Sequence, residues 1–60
     1  MPASALYNLA CCESLTGRRD AALDHLRRAI ELSGVAREYA RGDSDFDALR
    51  GDPAFDELVG

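Results

Sequence analysis

The chain has no lysine: its seven basic side chains are all arginine, set against eleven acids for a net charge of −4. Without a basic stripe to neutralise phosphates, nucleic acid and anionic membrane are poor partners. Long hydrophobic runs are missing too, and nothing approaches the roughly 18 apolar residues of a membrane span. The opening "MPASALYNLA" has neither the basic start nor the unbroken apolar core of a secretory leader. A cytoplasmic location is the expectation. Cysteine and histidine ligands for a metal are scarce, since the chain offers two cysteines and one histidine.

What is present is ordinary for a folded domain, with 47% apolar and 30% charged residues. Sixty residues make at most one domain, and so short a chain buries only about 60% of the surface its unfolded form exposes. Charge is unevenly spread. Residues 1–42 hold six arginines against five acids, whereas Arg50 alone faces Asp43, Asp45, Asp47, Asp52, Asp56 and Glu57 in the rest.

Periodicity predicts an all-α fold. Ala22, Leu23, Leu26, Ala29 and Ile30 recur at helical spacing, with Asp20, Asp24, Arg27, Arg28 and Glu31 on the other side. Asp24 with Arg28 and Arg27 with Glu31 are i,i+4 pairs worth about 0.2 to 0.5 kcal/mol each. Upstream, Leu6, Leu9 and Ala10 share one face and Gly17 ends the segment, which predicts a first helix over 3–16. Two helices joined by so short a turn are antiparallel neighbours, and Ala10, Ala22 and Ala29 would let their axes approach closely. Gly34 is expected to stop the second helix in a left-handed conformation.

Beyond Gly34 the phrases shorten. The spacing predicts a third helix over 35–41 and short helical turns over 45–50 and 53–58. Ser44 with Asp47 reads as a capping box with the shorter acid, and Asp52 before Pro53 reads as an N-cap followed by proline at the first helical position. Val35, Tyr39, Phe46, Leu49, Phe55 and Leu58 are the residues this tail can bury.

Leu6, Leu9, Ala10, Gly17, Ala22, Leu26 and Ala29 fall in the register of a known helical repeat. Residues 3–36 resemble one tetratricopeptide repeat. The stretch "DSDFDALRGDPAF" resembles the segment that closes the last repeat of many bacterial arrays. The chain is then one domain over 1–60, a hairpin at 3–36 with a closing tail at 37–60. Two positions depart from the pattern: Glu13 replaces an aromatic and Gly34 replaces proline. A carboxylate at Glu13 must reach solvent or an arginine such as Arg18.

The resemblance implies a non-catalytic protein-interaction module, without a cofactor, that binds a protein or peptide or self-associates as a homodimer. A single repeat leaves apolar surface that array neighbours would cover. In the family, the side of the first helix carrying Ser4, Tyr7, Cys11, Ser14 and Leu15 lines a concave peptide groove, and Asn8 matches a position that can hold a peptide backbone.

The competing function is a small thiol-redox or metal protein using Cys11, Cys12 and His25. Side chains on a helix diverge by about 100° per residue. Cys11 and Cys12 therefore do not converge, and a disulfide between neighbours would strain the peptide. A metal would need more ligands at suitable spacing, and His25 falls on the polar side of its helix. Both cysteines therefore read as packing residues, and the alternative is a solvent-reachable thiol at Cys11, on the groove side. No sequence motif places a nucleophile or orienting acid beside His25 that would make it a catalytic base, so a surface histidine is the reading. The two "RGD" triplets read as an adhesion motif or as a helix end followed by a cap, and punctuation accounts for both. "DSDFD" lacks the glycine and closing glutamate of a calcium loop.

Overall fold

A computed structural model describes all 60 residues as four α-helices and one 3₁₀ helix, with no strand. α1 (Ala3–Leu15) and α2 (Arg19–Leu32) form the antiparallel hairpin, followed by α3 (Val35–Gly42), the 3₁₀ helix Ser44–Leu49 and α4 (Pro53–Val59). The all-α expectation holds, and every boundary lies within about two residues of the sequence reading.

The hairpin turns at Gly17, whose φ of +78° is a conformation that costs an L side chain about 1 to 2 kcal/mol. Ala10, Ala22, Leu26 and Ala29 have no exposed surface, so the small side chains are enclosed in the core that the hairpin helps to form. On the solvent side of α2, Asp24 takes Arg27 at 2.7 Å and Arg28 at 3.2 Å, while Arg27 also reaches Glu31 at 3.1 Å.

Gly34 departs from the expected left-handed stop. Its backbone is right-handed, with φ −60° and ψ −23°, and the break falls one residue earlier, at extended Ser33 with φ −150° and ψ 111°. Ser33 donates its N–H to Ala29 O and accepts from Ala36 N, so the chain redirects into α3 without needing a glycine.

The tail also differs at its cap. The residue capping the 3₁₀ helix is Asp43, whose Oδ1 accepts the Asp45 N–H at 3.0 Å, and not Ser44. Asp52 caps α4 as expected, accepting from Ala54 N at 2.9 Å, and Arg19 of α2 donates to the same carboxylate. Gly51, at φ +88°, makes the turn between them.

The tail supplies much of the core. Phe46 and Phe55 are, with Leu26, the largest fully buried side chains, their rings 5.7 Å apart, and Leu49 and Val59 complete the cluster. Leu58 is half-buried. Val35 and Tyr39 are not in the core: they are 53% and 65% exposed, because α3 turns Ala36 and Ala40 inward instead. Arginines fasten the chain end, with Arg37 donating to Leu58 O and Arg41 to the carbonyls of Val59 and Gly60.

Glu13 reaches neither solvent nor the Arg18 guanidinium. It is 9% exposed, and its Oε1 lies 2.6 Å from Nδ1 of a half-buried His25 on α2. Arg18 meets Glu13 only through the backbone, donating its N–H to the Glu13 carbonyl at 2.8 Å. His25, expected on the surface, is thereby part of the α1–α2 interface.

Candidate functional site

The six groove residues on α1 meet three different surroundings. Tyr7, Cys11 and Ser14 lie under the chain that runs from Asp43 into the 3₁₀ helix. Tyr7 donates its hydroxyl to Asp43 Oδ2 at 2.8 Å, the Cys11 thiol approaches the same oxygen at 3.9 Å, and Ser14 Oγ donates to Asp45 O at 2.7 Å. The tail thus occupies this part of the α1 face. Ser4 and Asn8 stay exposed one turn away, and Leu15 stands 66% exposed at the far end of the helix.

The covering segment sets the ionisation of what lies beneath it. Asp43 is held below the usual aspartate range, first by the Asp45 backbone N–H and then by the Tyr7 hydroxyl, with the Cys11 thiol and Arg50 adding to both. Tyr7 is pushed well above the usual phenol range by burial and by its hydrogen bond to the Asp43 carboxylate. Cys11 is pushed up to about 12, first by burial and then by the charge on Asp43 and Asp45. The thiol therefore keeps its proton at neutral pH, whereas nucleophilic attack and metal ligation both use the thiolate.

The packing reading holds for Cys11, which is 8% exposed beneath the tail, and is corrected for Cys12, which is exposed. Cys11, Cys12 and His25 do not come together. The donor atoms of Cys11, Asp43 and Asp45 do lie within 4.8 Å of one another. Both oxygens of Asp43 are already occupied there, Oδ2 by Tyr7 and the thiol and Oδ1 by Asp45 N.

An open cleft of about 190 Å³ lies between α1 and α3. Its lining is Ala3, Ser4, Tyr7 and Asn8 from α1, Ser33 from the link after α2, and Val35, Ala36 and Tyr39 from α3, and it contains no charged side chain. Tyr7 links the cleft to the tail. Its ring meets Tyr39 edge-on at 6.4 Å on one side and Phe46 at 5.5 Å on the other, while Asp43 fixes its hydroxyl.

Sequence reasoning placed Ser4, Tyr7 and Asn8 on this surface and missed the α3 wall. The signal was present but ambiguous: Ala36 and Ala40 share one stripe of α3, Val35 and Tyr39 the next, and hydropathy favours burying the larger pair. Close approach of the helix to its neighbours selects the alanines.

Searches against protein-family models, curated proteins and solved structures find no match to this chain.

Proposed function

We propose that the chain is a non-catalytic protein-interaction module of the helical-hairpin repeat type, and that the cleft between α1 and α3 receives an apolar side chain of a partner protein. The observation that carries this reading is the exposed pair Val35 and Tyr39, which with Tyr7 line an uncharged cleft. A volume of about 190 Å³ is below the range of about 300 to 1,000 Å³ in which small molecules and cofactors are held. It suits one partner side chain, with Ser4 and Asn8 at the rim to hydrogen-bond the adjoining backbone. Aromatic side chains supply large contact area at a protein interface.

The covered half of the α1 face has a different role in this reading. Asp43, Asp45 and Phe46 satisfy Tyr7, Cys11 and Ser14 from within the chain. In this reading the tail fills that part of the groove from within the chain.

The test is position-specific photo-cross-linking with a reactive residue at Asn8, compared with one at Glu31 on the polar side of α2. Discrete cross-linked products are expected from position 8, absent from position 31 and lost when Tyr39→Ala is added. Products that ignore the Tyr39 substitution, or that form equally from both positions, would sink the assignment. Tyr39 is the better variant because Tyr7→Ala would also release Asp43. The mass of the product separates a second copy of the chain from another protein.

A further inference from the structure

We draw no further inference here: the strongest candidate, the side-chain cluster of Cys11, Asp43 and Asp45 where the tail crosses α1, carries nothing because both Asp43 oxygens are already taken by Tyr7, the Cys11 thiol and the Asp45 N–H and no second observation there points to a ligand.

Discussion

Asp43 is the residue on which the tail turns, since one carboxylate caps the 3₁₀ helix and accepts from Tyr7. Its depressed pKa fixes the sign of a pH effect. The stabilisation is complete above the ordinary aspartate value of about 3.9 and is lost as pH falls through the lower folded value. Asp43→Asn keeps a capping oxygen but removes the charge. It should lower stability by about 1 kcal/mol at neutral pH and make the loss on acidification shallower, as read from urea midpoints between about pH 6 and pH 2. Asp24 and Asp52, held low mainly by Arg27 and Arg19, leave the variant some acid sensitivity. An acid limb as steep as the wild type's would remove Asp43 from the account. The cysteines give a second residue-scale prediction. An aromatic disulfide reagent at mildly alkaline pH should titrate one thiol, Cys12, in the native chain and the second only after denaturant is added. Rapid reaction of both thiols without denaturant would contradict the burial of Cys11.

At the scale of elements, three glycines that look alike in sequence do different things. Gly17 and Gly51 have positive φ, and a Cβ at either would be strained although nothing crowds it. Gly34 is right-handed with open space around it. Gly17→Ala and Gly51→Ala should each cost about 1 to 2 kcal/mol, whereas Gly34→Ala should be neutral or stabilising by about 0.4 to 1 kcal/mol, checked by chemical denaturation. Equal effects at the three sites would mean that α2 ends in the left-handed way its sequence suggests. The pairing of Glu13 with His25 belongs to this scale as well, because it joins α1 to α2 at a position where apolar packing is the norm. Helical periodicity placed both residues on their helices but could not pair them, since the axial offset of α1 and α2 is not encoded in either helix's own repeat.

For the whole molecule, the tail decides whether there is a domain at all. A 60-residue chain is stable by about 3 to 9 kcal/mol at typical values per residue, and removing a fully buried phenylalanine side chain costs about 3 to 5. Phe46→Ala should therefore leave the chain largely unfolded at room temperature, with loss of helical circular dichroism and a lowered or absent thermal transition. Tyr39→Ala, at an exposed ring, should change stability by less than about 1 kcal/mol. If Phe46→Ala folds as well as the wild type, the hairpin is autonomous and the tail is an appendage. The surface left open by this arrangement is narrower than a hairpin alone would show: one stretch of α1 is taken by the tail, and the uncharged cleft beside α3 remains.

The sequence by itself determined the helices, their approximate ends, the antiparallel hairpin and the burial of Phe46, Leu49 and Phe55, because these follow from local periodicity, caps and the limited number of large apolar side chains. Only the tertiary structure decided which stripe of α3 turns inward, that the tail lies across Tyr7, Cys11 and Ser14, and that Glu13 finds His25. Those outcomes depend on how closely helices approach and on which polar groups are left to pair once the core has closed, and neither quantity is local in the chain.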